Sequence, residues 1–315
     1  MSSGLEGYVR RLPGWALKYN TTAPELPTAK RGFFDKVGGS LDVEEIKAPI
    51  TNLPKEFDGY RIACVSDIHS GFAQASAAVA ALERAAPNLI CVLGDTIDSG
   101  TKSLDGVAPF LRALPTIAPT AAVNGNNEYA CGILPALYEE YERCGIVLLR
   151  DESMLLERGG ASLRVVGMQD VEAYRNKCEA VRPPNASDSE PVMPAKVNGR
   201  VEVLLIHRPV RAIRYLAHGF NLALAGHAHG GQWRVMGRGI FAPGQGFFPT
   251  LTSGLYEMDD KVLANLKPKV KKRSSLADSY PGIANALVVS RGLGNHEMPL
   301  RINNRPHLPI ITLTR

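Results

Sequence analysis

From Tyr60 onward the chain is written in short apolar runs, each closed by a polar cluster: RIACVSDIH at 61–69, LICVLGDTID at 89–98 and TAAVNGNNE at 120–128. Runs of this length without strict alternation predict strands buried on both faces, each delivering carboxylates, amides or imidazoles at its C-terminal end. Between the first two lies AQASAAVAALERAAP (73–87), Ala-rich and free of glycine, which predicts a helix; a second helix is predicted around GVAPFLRALP (106–115). Strand, helix, strand, helix, strand is βαβ grammar, and in open α/β sheets ligands gather at the carboxyl ends of the strands. LRVVGMQD (163–170), VEVLLIHRP (201–209) and FNLALAGHAHGGQ (220–232) extend the same logic into a second sheet, and ANALVVSRG and PIITLTR supply the last strands.

Outside these runs the pattern weakens. Residues 1–55 mix Gly, Pro, Thr and charge without sustained periodicity and are expected to form an N-terminal arm packed on a body spanning 56–315. Within the arm, residues 8–19 (YVRRLPGWALKY) set apolar side chains among Arg10, Arg11 and Lys18. Two readings stay open: a peripheral membrane contact, and a clamp of the arm onto the protein's own surface, since Pro13 and Gly14 interrupt a helix there. The Pro-, Asn- and Ser-rich stretch between Asp170 and Val201 predicts a loop or flap, and KPKVKKRSS (267–275) a solvated basic loop.

Composition narrows the function classes. The chain has 315 residues, 45% of them hydrophobic, enough for one large core. Its 36 basic and 31 acidic residues leave a formal +5 spread along the chain, and no basic groove with interleaved aromatics is legible, so no nucleic-acid partner is expected. Five cysteines without CxxC spacing predict buried thiols in a reducing compartment. With no apolar run long enough to cross a bilayer, the sequence reads as cytoplasmic, with peripheral membrane contact left open.

Asp67-Ile68-His69 alone proves little. In order along the chain come Asp67 and His69, then Asp95 and Asp98, then Asn126-Asn127-Glu128, then His207, then His227-Ala228-His229. Five strand ends thus offer metal-capable side chains without a thiolate, a donor mix that suits two borderline divalent ions: Mn, Fe, Zn or Co, with Mn favoured. Held about 3.5–4 Å apart, such ions activate a shared water for in-line attack on phosphorus.

The set D-x-H, G-D-x-x-D, G-N-x-E, a lone His and G-H-x-H resembles the calcineurin-like metallophosphoesterase signature, over roughly 60–315. The runs GHAHGGQ, SRGLGN and PLRINNRP further resemble a bacterial branch of phosphodiesterases acting at or near membranes, some of which cleave nucleotide-lipid pyrophosphates. The resemblance implies an α/β fold, a four-layer αββα sandwich with two mixed β-sheets and a dinuclear metal site at the strand ends. It implies one ion on Asp67, His69 and His229, the other on Asn126, His207 and His227, and Asp95 bridging; Asp98 is expected to support the site by hydrogen bonding.

One position departs from that signature. Where the family motif places the histidine that protonates the leaving oxygen, this chain has Asn127, an amide with no proton to give near neutral pH. Either the substrate's leaving group needs little help, as in a pyrophosphate or aryl ester, or another residue donates, for which His296 in Gly294-Asn295-His296-Glu297 is the candidate. The expected activity is hydrolysis of a phosphodiester or pyrophosphate bond, in a small phosphoester or a lipid- or nucleotide-linked substrate. A metal-binding scaffold with weakened chemistry and a phosphomonoesterase are the alternatives.

Overall fold

The computed structural model describes residues 9–11, 40–69, 74–175, 197, 199–217, 219–258, 286–295 and 300–315. Most of the stretch between Asp170 and Val201, the KPKVKKRSS run, residues 12–19 and His296 therefore lie outside the described residues.

Along the chain run β1 (Val9–Arg11), β2 (Asp42–Pro49), β3 (Arg61–Val65), α1 (Ala75–Ala85), β4 (Leu89–Leu93), α2 (Ala108–Ile117), β5 (Thr120–Val123), α3 (Asn126–Ala130), α4 (Leu134–Cys144) and β6 (Val147–Leu148). They are followed by β7 (Glu152–Arg158), β8 (Ala161–Met168), α5 (Glu172–Arg175), β9 (Glu202–Ile206), α6 (Pro209–Ala217) and β10 (Leu222–Ala225). Two small hairpins come next, β11 (Arg234–Val235) with β12 (Arg238–Gly239), and β13 (Phe241–Ala242) with β14 (Gly246–Phe247). The chain closes with β15 (Gly254–Glu257), β16 (Ala286–Val289) and β17 (His307–Thr314).

The larger strands form two mixed sheets, one of six strands in the order β2-β17-β3-β4-β5-β6 and one of seven in the order β1-β7-β8-β9-β10-β16-β15. In the first, β3, β4 and β5 run parallel and β17 is antiparallel to β3. In the second, β8, β9, β10 and β16 run parallel and β15 is antiparallel to β16.

Strand periodicity decides what each run touches. Ile62, Cys64, Leu89, Cys91 and Leu93 of the first sheet meet Val203, Leu205, Leu222 and Leu224 of the second in a shared core between the sheets. The alternate positions Ala63, Val65, Ile90 and Val92 turn to the other face and pack under α1, α2 and α4. Leu204, Ile206, Ala223 and Ala225 likewise turn outward beneath α6, against Ile213 and Leu216. Helices therefore cover both outer faces, giving the four-layer αββα sandwich, and burial on both faces is why these strands carry no polar alternation.

The stretch expected as an arm contributes to this frame. Asp42–Pro49 pairs with β17 through eight registered positions and buries Ile46 and Ala48 in the inter-sheet core. Val9–Arg11, from the segment read as interfacial, pairs parallel with β7 and forms the edge of the seven-stranded sheet. Among the described residues no helix is long and apolar enough to cross a membrane. Cys64, Cys91, Cys131 and Cys144 are free thiols, and burial pushes that of Cys64 well up.

Candidate metal centre

Every expected ligand leaves a strand at its carboxyl end. Asp67 and His69 follow β3, Asp95 follows β4, Asn126 opens α3 after β5, His207 follows β9, and His227 and His229 follow β10. Five of these seven take a left-handed backbone: φ is 51° at Asp67, 52° at His69, 51° at Asp95, 64° at His227 and 45° at His229. Non-glycine residues seldom occupy this region, and such conformations cluster at functional sites because the surrounding structure enforces them. Glycine serves here by letting the loops touch. A Cβ at Gly226 would collide with the Ser66 hydroxyl, and one at Gly94, whose φ is +87°, with the backbone of Gly125.

The side chains converge as two groups. The ligand-capable atoms of Asp67, His69 and His229 lie within 4.8 Å of one another, and so do those of Asp95, His207 and His227. In the first group His69 Nε2 is 3.1 Å from His229 Nε2, and His229 Nε2 is 3.4 Å from Asp67 Oδ1. In the second, His207 Nε2 is 3.1 Å from His227 Nδ1 and 3.3 Å from Asp95 Oδ2.

Hydrogen bonds behind the imidazoles decide which nitrogen faces the centre. His207 Nδ1 sits 2.8 Å from the Leu93 carbonyl, which only accepts, so Nδ1 carries the proton and Nε2 turns a lone pair inward. His69 Nδ1 is 2.7 Å from Asp98 Oδ1, with the same result for its Nε2 and the supporting role expected of Asp98. Asn126 Oδ1 is buried with no hydrogen-bond partner. Inward lone pairs, two carboxylates and an unsatisfied amide oxygen make a donor set that fits two divalent cations, and buried polar atoms are otherwise paired.

The charges are held accordingly. Burial pushes the Asp95 carboxyl up, but His207, His69 and His227 outweigh it and hold the group well below the ordinary range. Burial raises Asp67, with the Asp95 charge adding to it. For His207 burial acts downward, and the opposing pull of Asp95 carries it to about 10, so without an ion Nε2 also holds a proton, which a bound cation would displace to free the lone pair.

Asn127 enters the centre by backbone and side chain. Its N–H donates to Asp95 Oδ1 and its Nδ2 to Asp95 Oδ2, both at 2.9 Å. The amide at the departing position is thus engaged with the Asp95 carboxylate.

Several residues that hold the centre have no individual signal in sequence. The buried Glu128 carboxylate accepts from the backbone N–H groups of Gly125 (2.7 Å), Asp95 (3.0 Å) and Thr96 (2.5 Å), tying the β4 loop to the β5 loop. Burial, then the Asp95 charge, pushes its carboxyl to about 7. The terminal amide of Glu128→Gln turns N–H groups toward N–H groups, so unfolding stability in urea is expected to fall by about 2–3 kcal/mol. An unchanged denaturation midpoint and slope would show that the loops are held without it.

The buried Arg301 donates to the carbonyls of Arg291 (2.8 Å) and Gly294 and to Asn295 Oδ1 (2.9 Å), and its guanidinium stands 3.4 Å from His229 Nδ1. Asn304 Nδ2 donates to the His229 and Gln232 carbonyls, at 2.7 and 2.9 Å. These contacts explain why PLRINNRP, SRGLGN and GHAHGGQ occur in one chain: the first two brace the turn that carries His229. Beside His227 opens a cavity of about 240 Å³ whose walls include Arg208, Arg211, Val171 and Pro243.

Residues 60–231 match the family model described as calcineurin-like phosphoesterase. The chain belongs to that family. Among curated relatives, an uncharacterized metallophosphoesterase of Aquifex aeolicus is 26% identical over 280 residues, covering 87% of this chain and 92% of the relative. The uncharacterized metallophosphoesterase YkuE of Bacillus subtilis is 24% identical, covering 83% and 81% respectively. Among solved structures, TT1561 of Thermus thermophilus aligns over 53% of this chain and 81% of its own, at 14% identity and a TM-score of 0.38. As a calcineurin-like phosphoesterase the chain is a metal-dependent phosphoester hydrolase, and its two buried groups of ligands fit a dinuclear divalent centre.

Proposed function

We propose that this protein hydrolyses a phosphodiester or pyrophosphate bond, with Asp67, His69 and His229 holding one ion, Asn126, His207 and His227 the other, and Asp95 between them. The observation that carries this reading is the pair of three-residue groups, whose inward nitrogens are set by Leu93 and Asp98. Bound there, two divalent ions, manganese being favoured, supply Lewis acidity toward the phosphoryl oxygens and an activated water.

The chain's own residues do the rest. Asn127 holds the Asp95 carboxylate and Glu128 its backbone N–H, and the cavity beside His227 is lined by Arg211 and by Arg208, which is ion-paired with Asp170. Asn127 has no proton to give to a leaving oxygen, which favours bonds whose leaving group departs as a stable anion: pyrophosphates and aryl esters before alkyl esters. The runs bracing the His229 turn resemble the membrane-side phosphodiesterase branch, and they favour a lipid- or nucleotide-linked substrate. His296 remains the proposed alternative donor.

The test is direct. Protein loaded with manganese is expected to hold two ions per chain and to hydrolyse bis-p-nitrophenyl phosphate and nucleotide pyrophosphates faster than p-nitrophenyl phosphate. Two bound ions without hydrolysis of any of these would favour the scaffold reading, and a preference for the monoester would overturn the diesterase one.

A further inference from the structure

Seven large hydrophobic side chains are exposed among the described residues, and five of them lie on or beside the two hairpins that follow the His229 turn: Val235, Met236, Phe247, Phe248 and Ile302. Met236 is 98% exposed, Phe248 68% and Phe247 65%. These segments are laced together. Phe248 N–H donates to the Ile240 carbonyl (2.7 Å), Ile240 N–H to the carbonyls of Trp233 (2.8 Å) and Gly231 (3.1 Å), and Arg234 N–H to that of Ile302 (2.9 Å). The assembly is anchored beside the metal centre, where Arg234 Nη1 donates to the Gly230 carbonyl at 2.7 Å.

Two features set this face apart from ordinary surface. The most exposed apolar side chains sit on backbone that disfavours them, with φ 49° at Met236 and 50° at Phe248. Met236-Gly237 is a two-residue hairpin turn with both φ positive, where turn chemistry alone selects Asn-Gly; methionine adds only a projecting apolar side chain. Cations flank the tip: Arg238 is exposed, Arg234 is half-buried, and Arg305 is exposed while ion-paired to Asp42 at 3.2 Å. No Asp or Glu occurs from 226 to 256.

An apolar tip flanked by Arg234 and Arg238 complements the interface of an anionic bilayer, where side chains such as Met and Phe enter the headgroup boundary and arginines meet phosphate. We infer that the face formed by the β11–β12 and β13–β14 hairpins docks on anionic lipid and turns the metal centre toward the membrane surface. This surface is separate from residues 8–19, and it stands whichever phosphoester is cleaved, because docking needs no turnover.

The full chain is sedimented with vesicles of phosphatidylcholine alone and of equimolar phosphatidylglycerol and phosphatidylcholine, and its oligomeric state is measured by analytical ultracentrifugation. Wild type is expected to bind the anionic vesicles and to release with salt. Met236→Asp with Phe248→Asp is expected to weaken binding at least about tenfold, and Arg238→Gln about fivefold. Far-UV circular dichroism and melting of each variant should match wild type, which separates loss of docking from loss of fold. No wild-type binding, or equal binding by the doubly substituted, folded chain, overturns the inference. Self-association abolished by the same substitutions without lipid binding also overturns it, assigning the face to a second copy of the chain.

Discussion

Asp95→Asn is expected to lower turnover by on the order of a thousandfold or more and to leave the protein with at most one tightly held ion. The reason is charge. The Asp95 carboxylate stands 3.3 Å from His207 Nε2, and the surrounding imidazoles hold it well below the ordinary carboxyl range. With the asparagine, Asn126, His207 and His227 would face the second cation with neutral donors only. The new amide would also turn an N–H toward Asn127, whose Nδ2 now donates to Oδ2 at 2.9 Å. Metal content by plasma emission, read beside kcat/KM for bis-p-nitrophenyl phosphate, checks both halves. Two ions per chain with near-normal rate would remove Asp95 from its bridging place.

Asn127→His carries the second large effect, and it appears as a slope rather than a level. In the wild type, rates across a series of esters are expected to fall steeply as the leaving group's pKa rises. A histidine, with an ordinary pKa near 6.5, can donate a proton where an amide cannot, and positioned general acids contribute on the order of 10²–10⁴ in rate. Alkyl esters should therefore gain most while aryl esters change little. If His296 already donates, His296→Ala should hurt alkyl esters selectively and Asn127→His should do little. A shallow wild-type slope that neither substitution moves would refute both assignments.

The candidate site was legible as an order of residue types because each proposed ligand follows an apolar run, and those runs are strands buried on both faces. The same logic was blind where burial is partial. In Asp42–Pro49, Glu44, Glu45 and Lys47 break up Ile46 and Ala48, so an edge strand read as an arm. Leu134–Cys144 buries Leu137 and Tyr141 beneath a charged face, and the hairpin strands have two residues each, too few for a period. The left-handed backbone at Asp67, His69, Asp95, His227 and His229 left no mark either, since none is the glycine or asparagine that announces it. Glu128 appeared only as the end of a motif, because its partners are backbone N–H groups.

The two halves of the centre belong to different sheets. Asp67, Asp95 and Asn126 ride on strands of the six-stranded sheet and His207, His227 and His229 on strands of the seven-stranded one, with the filling between them made of side chains such as Cys91, Leu93, Val203 and Leu224. That filling acts as a spacer gauge: the gap between ligand sets is read off the thickness and sliding of a hydrophobic layer that touches neither ion nor substrate. Metal affinity is therefore expected to report how well the two sheets are seated, and interior substitutions in that layer are expected to shift it without touching a ligand.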